Sequence, residues 1–369
     1  MRVRFIDNIR ILCILLLFPY HTCMIYNNWG ELFYVIGKPY LLPSLFTNIV
    51  WPWWMFLLFT IAGISANYAL QSRSASACAK ERVRKLLLPL LSGLVLIIPV
   101  QAYIADIFYS GYSGGYFEHY KIFFTRFTNL SGQDGGFTPG HLWFLLYLFV
   151  ISMLMLPCMK WYQRSTKKLN TDKLTIGKLL PLFLIILVCA PVLEIGGKSL
   201  MEFAACFALG YFLLSDDRLQ KKLERNRALL MCLFIASLLL RLVIYFTGHG
   251  NSLLWDIEQR VITWTGILAL LGMGRKYLNT SNKLTDYFTA AAFPLYYFHQ
   301  SILVIVGYFT LKLVRIAWLQ FFLIMIVTLI LTLLTYEILR RFKLTCFLFG
   351  MKYKEFWSLI NKTHTSSHL

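Results

Sequence analysis

The chain has 369 residues, 58% of them hydrophobic and 14% charged, and its 36 Lys and Arg against 17 Asp and Glu give a formal charge of +19. So apolar a composition excludes a soluble globular domain. The excess of positive charge would suit nucleic acid, but the basic residues cluster in alternate connections between apolar runs, which is the signature of membrane sidedness instead.

Runs long enough to cross about 30 Å of hydrocarbon recur along the whole chain. In order they cover residues 9–26, 49–70, 86–108, 142–159, 179–193, 200–214, 229–246, 253–272, 289–310 and 317–339. They are too long for barrel strands and lack period-two alternation, so the expected fold is all-α, a polytopic membrane protein of about ten transmembrane helices. The fifth and sixth runs are short and joined by Glu194-Ile195-Gly196-Gly197, which leaves a tight outer turn; a re-entrant hairpin is the alternative there. No repeat, low-complexity tract or terminal soluble domain interrupts the pattern, and residues 1–369 read as one integral membrane domain.

Arg2 and Arg4 precede the first run, and Arg73, Lys80, Arg82, Arg84 and Lys85 follow the second. Lys160, Arg164, Lys167, Lys168, Lys173 and Lys178 follow the fourth, and Arg218, Lys221, Lys222, Arg225 and Arg227 the sixth. Arg275, Lys276 and Lys283 follow the eighth, and Arg340, Arg341, Lys343, Lys352, Lys354 and Lys362 the tenth. The intervening connections carry only Lys38, Lys121, Arg126, Lys198, Lys312 and Arg315. The positive-inside rule then places both termini in the cytoplasm. The first run has His21 in its interior and no Ala-x-Ala site after it, so it is expected to stay in the protein. The eight cysteines are scattered, without a Cys-x-x-Cys or metal-like cluster, and no metal is expected.

Two outer connections are long. Residues 109–141 are rich in Gly, Tyr, Phe and Asn, a composition that serves either an interfacial aromatic belt or a surface that stacks on sugar rings. The inner connection 71–85 is strongly basic, which reads as a topology anchor or as a dock for a phosphorylated cytosolic ligand. Gly63, Gly93 and Gly210 are expected at close helix contacts.

Ionisable groups at membrane depth are costly and point to function. Arg10 and His21 lie eleven residues apart on the first run. At 100° per residue that is about 20° beyond three turns, so they share a face, separated by roughly 16 Å along the axis. Taken alone, Arg10 is a snorkelling residue and His21 an interhelical hydrogen bond. Aligned, they offer a cation at the inner surface and, deep in the bilayer, an imidazole suited to act as general base. His299, beside Gln300 and Ser301 in the ninth run, either joins that site or makes a structural hydrogen bond. His141 stands at the outer end of the fourth run, where an interfacial role competes with a catalytic one. Arg241, Asp256, Glu258 and Arg260 are expected to neutralise one another.

The opening Asp7-Asn8-Ile9-Arg10, followed after ten residues by His21, resembles the Asp-x-x-Arg-x10-His start of the integral membrane acyltransferase family 3. Phe59-Thr60-Ile61-Ala62-Gly63 is similar to the family's Phe-x-x-Ser-Gly, and Lys80-Glu81-Arg82-Val83-Arg84-Lys85 to its basic segment. Pro139-Gly140-His141-Leu142-Trp143 and Phe293-Pro294-Leu295-Tyr296-Tyr297-Phe298-His299-Gln300 resemble one branch of it. Two departures stand out: Ala62 replaces the Ser, and Arg82-Val83-Arg84 replaces Arg-x-x-Arg. The resemblance implies transfer of an acetyl or succinyl-type group from cytosolic acyl-CoA, a co-substrate and not a tightly bound cofactor, to a hydroxyl of a cell-envelope glycan, by a multi-pass protein of the inner (plasma) membrane. Arg10, Arg82, Arg84 and Lys85 would hold the donor phosphates, and His21 would act as base or transient acyl carrier. His141 and His299 would position the acceptor or shuttle a proton. The competing class is a transporter or flippase of a glycan or lipid-linked intermediate, which commonly carries an internal repeat that is absent here.

Overall fold

The computed structural model describes residues 3–28, 33–166, 169–248 and 252–353. Arg2, Lys167, Lys168, Lys354 and Lys362 of the basic clusters lie outside them.

The described residues are almost entirely helical. The helices in chain order are α1 (Arg4–Ile25), α2 (Leu41–Ser72), α3 (Ala75–Ser110), α4 (Tyr116–Thr125) and α5, which runs Gly140–Leu154 and, after a 42° bend, Leu156–Arg164. There follow α6 (Ile176–Cys189), α7 (Leu200–Leu214), α8 (Asp217–Arg225), α9 (Arg227–Thr247), α10 (Ser252–Tyr277), α11 (Lys283–Leu313), α12 (Ala317–Leu339) and α13 (Lys343–Leu348). The only strands among the described residues are β1 (Glu194–Ile195) and β2 (Lys198–Ser199), antiparallel about the Gly196-Gly197 turn. Both glycines have positive φ, which their missing Cβ permits.

Six of these helices are long and apolar enough to cross a membrane, and α5 makes seven if its bent halves form one span. Each of the ten apolar runs falls on a helix. The three that do not meet the length and polarity test are α6 and α7, which are short, and α10, which carries Asp256, Glu258 and Arg260 in its N-terminal half.

Two connections hold more helix than expected. The basic stretch 71–85 is not a loop: α2 runs on to Ser72, and α3 starts at Ala75, where the Ser74 side chain accepts from the Ala77 amide at 3.2 Å as an N-cap. The long connection 109–141 contains α4, whose buried His119 and Phe123 fasten it to the bundle.

α1, α2 and α11 form the buried centre, and α9 and α12 the rim. On α12 the exposed Phe322, Ile326, Ile330, Leu334 and Ile338 recur every fourth residue, an apolar stripe turned outward as lipid contact requires. Small residues set the closest approach. A Cβ on Gly63 would lie 2.0 Å from the Phe207 carbonyl oxygen, and one on Gly210 would lie 2.2 Å from that of Thr60. α2 and α7 therefore touch backbone to backbone, as the glycine positions predicted. The polar residues of α9 and α10 are neutralised internally. Arg241 pairs with Glu258 at 2.8 Å and bonds Asn48, while Arg260 pairs with Glu202 at 2.7 Å and Asp256 at 2.8 Å.

Candidate active site

α1 carries the two residues with which the site begins. It loosens at Leu16 but keeps its direction as a single 22-residue span. Arg10 pairs with Asp7 at 2.6 Å, and its other terminal nitrogen donates to Ser65 Oγ on α2 at 3.0 Å. His21 lies edge-on to Trp54 of the same helix, with ring centroids 6.3 Å apart. Between them, Trp54 Nε1 donates to the Cys13 carbonyl at 2.9 Å. The eleven residues from Arg10 to His21 on α1 are matched by the eleven from Ser65 back to Trp54 on the antiparallel α2. Both side chains thus face one neighbour, as their angular spacing requires.

His21 sits in an aromatic frame, stacked on Phe33 at 5.7 Å and edge-on to Tyr20 at 5.3 Å. Its Nδ1 is buried without a hydrogen bond, which leaves Nε2 as the nitrogen that can serve the adjoining cavity. The three candidate histidines come together: the His21 and His299 centroids are 5.2 Å apart, and those of His141 and His299 5.1 Å.

Their hydrogen bonds assign them different capacities. His141 Nδ1 faces the Gln101 amide nitrogen at 3.2 Å and must accept, so Nε2 carries the proton and donates to the Tyr297 carbonyl at 2.9 Å. Both nitrogens of His141 are occupied. His299 Nδ1 donates to the Tyr296 carbonyl at 2.6 Å, and its Nε2, a bare lone pair, is buried with no partner. Gln101 connects the group: it donates to Ser301 Oγ at 2.7 Å and accepts from the Gln300 amide at 3.0 Å. This fully buried amide is not among the sequence-based candidates, although a lone glutamine in the apolar run 86–108 is the kind of intramembrane polar residue that marks a site.

A cavity of about 620 Å³ opens beside the cluster, within the size range of small-molecule sites. His21, His141 and Gln300 line it together with Trp54 and Tyr296, residues of the loop around Asn129–Gly140 and the β1–β2 turn. His299 does not line it. The cavity reaches Leu17 and stops, so Ile14 and Cys13 separate it from Arg10.

At the Arg10 end, the expected basic cluster divides. Arg82 is within electrostatic range of Arg10, makes no hydrogen bond or ion pair among the described residues, and borders a small cleft with Ala66, Leu70 and Cys78. Arg84 and Lys85 are exposed on a π-helical turn, Val83–Leu87, and Lys85 is held by Glu81 at 2.6 Å. Glu81 also takes Arg73, at 2.6 Å. Among the described residues no group of three or more His, Cys, Asp or Glu side chains is placed to hold a metal ion.

A histidine cluster beside a cavity inside a helical bundle marks a candidate site, and the family of the chain gives its class as an acyltransferase. The chain belongs to the integral membrane acyltransferase family 3, whose sequence model, described as an acyltransferase domain, matches residues 3–337. Among its relatives are the glucans biosynthesis protein C of Escherichia coli O1:K1 / APEC and that of Shigella boydii serotype 4 (strain Sb227). Each is 25% identical over 383 aligned residues, covering 95% of both chains. No solved structure matches the chain. It is a multi-pass membrane enzyme that transfers acyl groups.

Proposed function

We propose that this enzyme moves an acetyl or succinyl-type group from cytosolic acyl-CoA to a hydroxyl of a cell-envelope glycan. In this reading ten helices span the inner membrane, both termini are cytoplasmic, and the Arg10 end of the bundle faces the cytosol. The observation that carries it is the common face of Arg10 and His21, with a guanidinium held by Asp7 and Ser65 at one end and an imidazole on a cavity at the other. The named relatives act in glucan biosynthesis, which supports a glycan acceptor.

Arg10 and Arg82 would take the donor phosphates, with Arg84 and Lys85 guiding approach, since guanidinium groups match phosphate oxygens bidentately. The thioester then passes along α1, which requires Ile14–Leu17 and Trp54 to part. His21 Nε2 takes the proton of the acceptor hydroxyl as its oxygen attacks the thioester carbonyl. The carbon–sulfur bond breaks, and the thiolate leaves and recovers a proton from the imidazolium. In the two-step form of the same reaction, His21 carries the acyl group between donor and acceptor. His299 Nε2 would share the proton through His21 Nδ1 once the two rings close to hydrogen-bond distance. His141, with both nitrogens engaged, lines the cavity and positions the acceptor.

The test is acyl transfer in membranes supplied with labelled acetyl-CoA or succinyl-CoA and a glucose oligosaccharide. His21→Ala is expected to lower the rate by at least about 100-fold. Persistence of transfer in that variant, or movement of sugar across the membrane without release of free thiol, would sink the proposal.

A further inference from the structure

The hydrogen bonds around Gln101 run in one direction. Two backbone carbonyls, which can only accept, set it. The Tyr297 carbonyl takes the Nε2 proton of His141, so His141 Nδ1 must accept. The Ile97 carbonyl takes the Ser301 hydroxyl proton at 2.9 Å, so Ser301 Oγ must accept as well. Both therefore require the Gln101 nitrogen, at 3.2 and 2.7 Å, and leave its oxygen to Gln300. Gln300 in turn must present its own nitrogen, at 3.0 Å. Its Oε1 is the open end of the chain, buried and without a hydrogen bond.

That end belongs to a residue of the cavity wall. Gln300 lines the cavity and is 3% exposed, whereas Gln101 and Ser301, further along the chain of bonds, do not line it. Among the buried side-chain nitrogens and oxygens of the described residues that lack a partner, two belong to lining residues: Nδ1 of His21 and Oε1 of Gln300. Gln300 follows His299, whose ring stands 5.2 Å from that of His21. An oxygen with a fixed orientation is thus kept near the proposed base, and its missing hydrogen bond is one that a substrate hydroxyl would supply.

A hydroxyl has one proton to give. That of the reacting hydroxyl goes to His21, so Gln300 Oε1 needs another. We propose that Gln300 Oε1 accepts a hydrogen bond from a second hydroxyl of the acceptor, on a carbon next to the one acylated, and so fixes which hydroxyl reacts. The acceptor is then a vicinal diol, which a sugar ring supplies and water or a simple alcohol does not. This rests on His21 serving the acceptor hydroxyl as proposed above. Its test reads binding without a donor, so either can fail while the other stands.

The full-length protein in nanodiscs of neutral lipid is titrated calorimetrically with methyl β-glucoside and with each of its monodeoxy forms. Two deoxy forms, lacking neighbouring hydroxyls, are expected to bind roughly tenfold more weakly than the parent. One lacks the hydroxyl that meets His21 and the other the hydroxyl that meets Gln300. In Gln300→Met the second loss should vanish and the first remain, a surviving discrimination that also reports a folded site. Gln300→Glu, which as the acid donates to Gln101 and keeps an oxygen for the sugar, should retain both losses. No binding of the glucoside to the wild type, a wild-type series without such a pair, or a pair that survives Gln300→Met overturns the proposal. Should Gln300→Met bind nothing, Gln300→Glu decides: loss of the pair there overturns it as well.

Discussion

His299 and His21 stand with their rings 5.2 Å apart, and each leaves one buried nitrogen, Nε2 of the first and Nδ1 of the second, without a hydrogen bond. Buried polar atoms of this kind cost stability, so a protein that keeps two side by side keeps them for another reason.

That relation separates chemistry from packing. His299→Phe removes one orphaned nitrogen and refills the space beside Phe18, whose ring lies 5.9 Å away. Turnover is expected to fall by about 10- to 100-fold, while the thermal midpoint of the purified protein stays level or rises. A parallel loss of stability and rate would assign His299 to packing alone.

Gln101→Leu should do the opposite. It strips the donor from His141 Nδ1 and the acceptor from the Gln300 amide, leaving both buried, at a cost of about 1–3 kcal/mol. The thermal midpoint should drop together with the rate.

Arg82→Gln removes a cation that pairs with nothing in the described residues. KM for the acyl-CoA donor is expected to rise by roughly tenfold with kcat nearly unchanged, the pattern of lost ground-state binding. A fall in kcat at constant KM would place Arg82 outside donor binding.

Arg241→Ala strands Glu258 in the interior and should cost about 3–5 kcal/mol. The double change Arg241→Leu with Glu258→Leu should recover most of it, because the pair offsets its own desolvation and little more. Thermal denaturation of the two variants decides the point.

The connection 109–141 should weaken in acid. His119 is fully buried on α4, and burial pulls its pKa below the ordinary 6.5 against the opposing pull of Asp106, whose carboxylate oxygen is 3.2 Å away. Arg126 pulls it down further, and Tyr103 and Tyr112 enclose the ring edge-on. A histidine with a depressed native value binds its proton more readily when unfolded. Its contribution is therefore whole above 6.5 and shrinks as pH falls below it. Limited proteolysis of residues 109–141 should accelerate from about pH 7.5 to about pH 5, and His119→Gln should flatten that slope.

The helical runs and the common face of Arg10 and His21 were legible in the sequence because both are local: an apolar run declares a helix, and a 100° step fixes a face. The glycine contacts and the ion pairs of Arg241 and Arg260 were legible for a related reason, since small or charged residues in a bilayer have few other uses. The meeting of His21, His141 and His299 was legible only through the family resemblance, because it depends on how α1, α5 and α11 assemble, and no periodicity records that. The division of labour among them was not legible. It follows from which carbonyl or amide each nitrogen meets, and Gln101 had gone unread inside an apolar run. Residues 71–85 were read as a loop on charge alone, although Ser74 followed by Ala75-Ser76-Ala77 already carries a helix start.

The shortness of α6 and α7 reaches beyond their own stability. At 1.5 Å per residue they measure about 21 and 22 Å, some 8 Å less than the hydrocarbon they adjoin. α7 cannot drift to meet the lipid surface, because Gly63 and Gly210 lock it to α2. The β1–β2 turn that joins the pair is therefore tied through α7 to α2. In the orientation proposed above, a pair this short draws the bilayer thinner beside it, which would shorten the distance between the donor and acceptor sides.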